Sequence, residues 1–396
     1  MKSSLVRILA LMLVPAAANG FGRFAYGLLV PAMQHHLGWS SLTSGSLSAA
    51  NSAGYLIGAI IADRALTVFG ERDAVLGPLA VATLAVLACG ATGDVAALLV
   101  LRLVAGAAGA VAFIAGAAVL TRLTAERETR ALGLYFAGPG LGIAVSALLI
   151  TPIAVTGHWR TGWLLDGVLC AACLALVAPV LTRMPLARPV RGGGPRPWEH
   201  RRVGALLASY GLFGAGYITY MTFSVAYLRG NGRTPDQLVW FWFALGAVGI
   251  VIGLTLAAPL SRIRGGGGVA VPVAMTALAS VLPILSGTGA AELASAALFG
   301  SFFTVSATVT AAARRSLPPT QWPPAIAGLT AVFGIGQCAG PLISGAMADG
   351  PHGLRAGLLT GTLLLAASAA CALFQPSDSS GTPSLPTEPA TQANHR

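Results

Sequence analysis

The 396-residue sequence is poor in charge. Asp, Glu, Lys and Arg make up 9% of it, against about 25% in an average soluble domain. Lysine occurs once, at Lys2, and 13 acidic residues face 24 basic ones. So little charge cannot clothe a water-facing surface, which argues against a soluble fold. The six histidines, His35, His36, His158, His200, His352 and His395, fall in expected loops or the tail. They leave no ligand set for a metal-dependent enzyme. No G-x-x-x-x-G-K-[ST] motif occurs, and the glycine-rich "RGGGPRP" and "RIRGGGGVA" lack the lysine of a phosphate cradle. The five cysteines, Cys89, Cys170, Cys173, Cys338 and Cys371, all lie in apolar stretches. Cys170 and Cys173 have C-x-x-C spacing without a second ligand pair, so they read as small packing residues. No metal, cofactor or catalytic residue is expected.

What the chain has instead is apolar length. It is 55% hydrophobic, with 50 glycines and a mean hydropathy of +0.75. A membrane-spanning helix takes about 20 mostly apolar residues. Twelve such stretches occur, at roughly 5–34, 41–62, 74–92, 95–121, 131–154, 160–181, 204–228, 237–258, 269–286, 291–312, 323–347 and 355–374. The expected fold class is an all-α polytopic membrane protein. Lys2, Arg7, the apolar run Ile8–Val14 and Ala16–Ala18 look like a secretory signal, but the apolar run continues through Met33. An uncleaved first helix is the reading.

Topology follows from arginine placement. With the N-terminus cytoplasmic, 18 of the 24 basic residues fall on the inner side and four (Arg160, Arg229, Arg233 and Arg355) on the outer. Arg23 and Arg102 remain within the membrane. This asymmetry accounts for the net charge of +11 without nucleic acid. The chain is expected as a multi-pass monomer of a bacterial cytoplasmic membrane, with both termini cytoplasmic.

The basic, Pro/Gly-rich segment 183–203 separates six helices (1–182) from six more (204–374), and a polar tail, 375–396, reads as disordered. The halves echo each other. Gly20-Phe-Gly22-x-x-x-Tyr26 aligns with Gly214-Ala-Gly216-x-x-x-Tyr220, and Gly138-Pro139-x-x-Gly142 with Gly340-Pro341-x-x-x-Gly345. Two such matches suggest a duplicated unit.

Several motifs sharpen this pattern. Ala59-Ile-Ile-Ala62-Asp63-Arg64 followed by Gly70-Glu71-Arg72 is similar to a degenerate loop 2–3 signature. Arg102-x-x-x-Gly106-x-x-Gly109 and Gly138-Pro139-x-x-Gly142 match glycine patterns of helices 4 and 5. Together they resemble the major facilitator superfamily. "NGFGRFAYG" (19–27), Gly54-Tyr55-Leu-Ile-Gly58 and Phe333-Gly-Ile-Gly336-Gln337-Cys-Ala-Gly340-Pro341 resemble its YbfB/YjiJ-type branch. The resemblance implies two six-helix bundles, a central cavity lined by helices 1, 4, 7 and 10, and transport by alternating access.

Charge inside a bilayer is costly, about 2.5–3.5 kcal/mol per residue on insertion scales, so Arg23 and Arg102 need a reason. Asp166 lies at comparable depth and is the one carboxylate clearly within a span. Either it pairs with one arginine, or an unpaired arginine faces the cavity and binds an anion. The candidate substrate residues are Arg23, Asn19, Tyr26, Asn51, Tyr55, Arg102, Tyr217, Tyr220 and Gln337. Tyr210 is a further aromatic, and Tyr217 and Tyr220 are read as sharing a face. Asp63, Arg64, Arg72, Arg130, Gly138, Pro139, Gly142 and Asp166 are the gating or coupling candidates, with Asp63 ending helix 2 and Pro139 bending helix 5. An anionic, aromatic or amphipathic small molecule suits this set; protons are one coupling ion, uniport and anion exchange are the alternatives, and the helix-5 glycine–proline pattern points toward export. The alternatives are multidrug-type efflux of neutral or cationic compounds, or a membrane sensor that does not transport.

Overall fold

A computed structural model of the protein describes residues 2–123, 128–184 and 198–377. The described chain is helical and has no strand. Every apolar stretch becomes a helix. These are α1 (Leu5–Leu37), α2 and α3 (together Ser41–Cys89), α4 (Val95–Leu123), α5 (Glu128–Leu149) and α6 (Trp159–Thr182). In the second half follow α7 (Gly204–Gly230), α8 (Pro235–Arg262), α9 (Gly267–Leu285), α10 (Gly289–Ser316), α11 (Trp322–Ala348) and α12 (Gly353–Leu373).

The boundaries have local causes. Gly38, at φ 66°, ends α1, and the Ser40 side chain accepts the Thr43 amide to start α2. Thr234 and Gln237 form a capping box ahead of α8, with Pro235 in its first turn. One expected boundary is wrong. The segment after residue 62 is not a loop: α2 runs on through Asp63 and Arg64, and only Gly70 (φ 81°, ψ 166°) separates it from α3. A charge cluster at a membrane surface does not unwind a helix, whereas a residue in mirror-β geometry does.

Helices α2 and α4 pack through small residues. A Cβ on Gly54 or Gly58 would run into the backbone at Leu103 or Ala107. Across the halves, α2 lies along α11 and α5 along α8. Ile60, Leu84, Val100, Leu176, Leu285 and Leu363 point outward, as a lipid-facing surface requires.

Candidate substrate site

The site begins with a distortion. Helix α1 is not one α-helix: between Lys2–Pro15 and Tyr26–Leu37 the nine residues Ala16–Phe24 form a π-helix. Pro15 enters it without an amide donor, which breaks the regular pattern. The small residues that follow let neighbours come close, and a Cβ on Gly20 would stand only 2.6 Å from the Cα of Gly142 on α5. Single π-turns are rare and recur at functional sites.

At the exit of this turn Arg23 points between the halves. It is 6% exposed. Its Nη2 donates to Ser52 Oγ at 3.0 Å, while Nε has no partner. The guanidinium lies 4.7 Å from the ring centroid of Tyr55 and 5.8 Å from that of Phe24. Arg23, Phe24, Tyr26, Gly27, Ser48, Asn51 and Arg102 from the first half meet Ile218, Met221 and Thr222 of α7 around a void of about 10 Å³. That is room for about one water. Asn51 Oδ1 is buried and unpartnered, and Tyr26 donates its hydroxyl to Ser44 O at 2.9 Å. Asn19 is buried in the π-turn and is not part of the void's wall.

Of the two readings of Asp166, pairing with an arginine is not found. Among the described residues the ion pairs are Glu71–Arg122, Glu199–Arg202 and Glu292–Arg233. Asp166 is fully buried in the field of Arg102, with neither carboxylate oxygen hydrogen-bonded. Arg102 donates instead to main-chain carbonyls, Nη1 to Gly22 O at 2.6 Å and Nη2 to Arg23 O at 3.3 Å, and its Nε has no partner.

The second half supplies rings. Tyr217 stacks on Phe302 (centroids 5.5 Å) and Phe333 (5.7 Å), and its hydroxyl accepts from Gln337 Nε2 at 2.5 Å. Tyr210 stacks on Phe333 at 4.4 Å and bonds Ser306. Tyr220, read as sharing a face with Tyr217, turns elsewhere. It stacks on Phe299 at 4.2 Å and bonds Ser295, out of the site. A separation of three residues put the two side chains on neighbouring but different helix seams.

The gating candidates scatter. Asp63 is exposed in mid-helix and makes no hydrogen bond or ion pair among the described residues; its neighbour Arg64 is exposed as well. Glu71, not singled out in the sequence, is the acid that pairs, with Arg122. Arg72 donates to Thr182 O at 3.1 Å. Helix α5 runs on through Pro139. Gly138 and Gly142 sit against α1, at Met12, Pro15, Ala16 and Gly20. The side chain of Arg130 lies outside the described residues.

At the end away from the termini the halves are joined by hydrogen bonds through residues sequence reasoning missed. Asp349, just past α11, accepts from the amides of Ser41 (2.6 Å) and Leu42 (3.0 Å) at the start of α2. Arg229, at the end of α7, donates to Ala154 O and Val155 O (3.4 and 2.9 Å) beyond α5. Each places the charge a helix end favours, carboxylate at an N-terminus and guanidinium at a C-terminus. Burial raises the Asp349 pKa, but the Leu42 and Ser41 amides and the Ser40 and Ser41 side chains outweigh it, and the carboxyl ends below its usual range. Deeper in, Ser48 and Thr222 share a hydrogen bond of 2.9 Å. The hydroxyls of Ser48 and Ser52, spaced by four, bond Thr222 and Arg23, while Tyr26 donates to the main-chain carbonyl of Ser44 one turn earlier. That i, i+4 spacing was the available signal.

Solved structures of the same architecture include a mutant of the nucleoside transporter NupG, at a TM-score of 0.73 and 13% identity, covering 94% of this chain and 98% of that one. A bacterial homologue of the human lysosomal transporter Spinster, inward-facing and occupied, matches at 0.70 and 17% over 93% and 96%. A bacterial homologue of the human drug peptide transporters matches at 0.67 and 13% over 93% and 96%. At such identities the likeness is one of fold. No curated protein matches the chain. The family described as "Uncharacterised MFS-type transporter YbfB" matches residues 15–373, and with its twelve helices and cross-half site this chain belongs to that family of major facilitator transporters.

Proposed function

We propose that the chain carries a small organic anion across the bacterial cytoplasmic membrane by alternating access, with Arg23 as the anion's counter-charge. One observation carries the reading: a buried guanidinium, at the seam between the halves, with one hydroxyl partner, an unpartnered Nε and no carboxylate in contact. A charge kept at that cost inside a bilayer marks a solute path, and a fork of donors suits a carboxylate or phosphate. The stacked rings of Tyr217, Phe302 and Phe333 favour an anion with an aromatic body. The arginine asymmetry favours termini in the cytoplasm and closure on the outer side. Asp166, buried and unpaired, is the candidate to carry a coupling proton, and the chain works as a monomer that exports its cargo.

The test is a thermal-shift screen of purified protein with acetate, benzoate, phenyl phosphate, benzyl alcohol and benzylamine. Benzoate at about 100 times its Kd adds about 2.7 kcal/mol of apparent stability to the native protein and nothing to Arg23→Ala. Stabilisation of both proteins by the amine or the alcohol alone would refute the reading and favour multidrug-type efflux.

A further inference from the structure

Arg102 sits one layer behind Arg23 and is 1% exposed. Both ends of its fork are committed, Nη1 to Gly22 O and Nη2 to Arg23 O. Its plane is held as well. The guanidinium lies 5.1 Å from the Tyr26 ring and 5.3 Å from that of Trp163, and those two rings stack on each other at 5.8 Å. Its own carbonyl accepts from Asn51 Nδ2 at 3.0 Å.

The two carbonyls that Arg102 meets lie where α1 changes register. The Ala25 amide reaches back five residues to Gly20 O, and the Leu28 amide only three, to Ala25 O. Carbonyls between those two settings face a broken ladder in a site without bulk water, and leaving them bare is costly. Two consecutive carbonyls also match a planar fork better than the point charge of a lysine.

We propose that Arg102 is a positioning residue. It holds the π-turn of α1 open at Gly22 and Arg23, and so fixes the direction of the Arg23 side chain, without touching the cargo itself. A shift of one residue in helix register turns a side chain by about 100°. Release of the turn therefore swings Arg23 away from Ser52 and Tyr55. Asp166 lies in the field of Arg102 but outside hydrogen-bond contact, so the carbonyl dipoles are the direct partners of this cation. The consequence for anion binding rests on the function proposed above; the structural role does not.

The experiment compares native protein, Arg102→Met and Arg102→Lys by hydrogen–deuterium exchange. Arg102→Met is expected to raise exchange about tenfold in peptides spanning 16–28, the scale of a lost buried hydrogen-bonded anchor. Peptides from 204–230 stay unchanged, and Arg102→Lys falls between. If Arg102→Met does not purify, Arg102→Lys carries the same comparison. In parallel, the benzoate-induced thermal shift is lost in Arg102→Met as in Arg23→Ala, and the double variant is no worse than either single one. Unchanged exchange at 16–28 with additive loss of the benzoate effect would make Arg102 a ligand group and overturn the proposal. A uniform rise in exchange over the first six helices would overturn it too, leaving a general packing role. If benzoate has no effect on native protein, the anion reading fails while the exchange pattern still decides this one.

Discussion

Helices α1 and α7 are each the first helix of a six-helix half, and they differ where it matters. At the offset that aligns Gly20 with Gly214 and Tyr26 with Tyr220, Arg23 falls on Tyr217, Phe24 on Ile218 and Gly27 on Met221. Six of these residues bear directly on the site: Arg23, Phe24, Tyr26, Gly27, Ile218 and Met221 line one void. Yet α7 is an unbroken α-helix, while α1 carries a nine-residue π-turn. The difference follows the charge. Tyr217 satisfies its hydroxyl through Gln337 and its ring through stacking, with nothing asked of its own backbone. Arg23 comes with a second buried guanidinium that needs carbonyls, and the π-turn offers them. The buried cation thus stands in one half and the stacked rings of Tyr217, Phe302 and Phe333 in the other.

The contact between these helices can be broken at Gly27. A Cβ there would meet the carbonyl of Met221 and press on Trp242. Gly27→Leu is expected to cost the closed arrangement about 3 kcal/mol, which shifts the ratio of closed to open forms about a hundredfold. In a protein freed of its five native cysteines, Met221→Cys gives the readout, because Met221 is 2% exposed. Maleimide labelling at that site goes from slow to rapid when Gly27→Leu is added. Labelling that stays slow would mean α1 and α7 do not separate at this end.

The division of labour can be sharpened by moving the charge. Arg23→Tyr with Tyr217→Arg keeps the composition of the site and swaps its halves. The benzoate-induced stabilisation, about 2.7 kcal/mol at 100 times Kd, is expected to vanish in Arg23→Tyr and to stay absent in the double variant. Helix α7 has no π-turn, and among the described residues no buried arginine stands behind it as Arg102 stands behind α1. Recovery of the shift in the swapped protein would show that any cation at the seam suffices.

Much of this was legible in the sequence, and the rest was not for physical reasons. Apolar length announced all twelve helices, since a bilayer sets their size. Arg23 announced itself as a charge in an apolar run. The end of α2 was misread because Asp63 and Arg64 look like a loop, whereas a helix breaks where backbone dihedrals change, at Gly70. Pro15 marks where the π-turn begins, but a proline alone does not specify one, because the partners that hold it, Arg102 and Gly142, are on other helices. The helix-end contacts were invisible for the same reason: Asp349 meets a residue 308 positions away. Tyr220 misled because seam geometry, not spacing, chooses between two neighbouring helix faces.

The smallest effect concerns that distant contact, through pH. In the closed form the Asp349 carboxyl titrates below its usual range, because the Ser41 and Leu42 amides at the start of α2 favour the anion despite the cost of burial. Once the contact opens, the group returns to an ordinary value of about 3.9. A group whose pKa is depressed in one form favours that form above its ordinary pKa, and the advantage disappears as pH falls through the depressed value. Labelling of Met221→Cys, compared with a small thiol to normalise reagent chemistry, should therefore be flat from pH 8 to about 5 and rise only below about 4. Asp349 is exposed, so solvent screens it, and the rise should be about fivefold at most. Asp349→Asn should raise the labelling at neutral pH by a similar factor and remove the acid-side rise. A pH response centred near 6 in that variant would assign the closure to a different group.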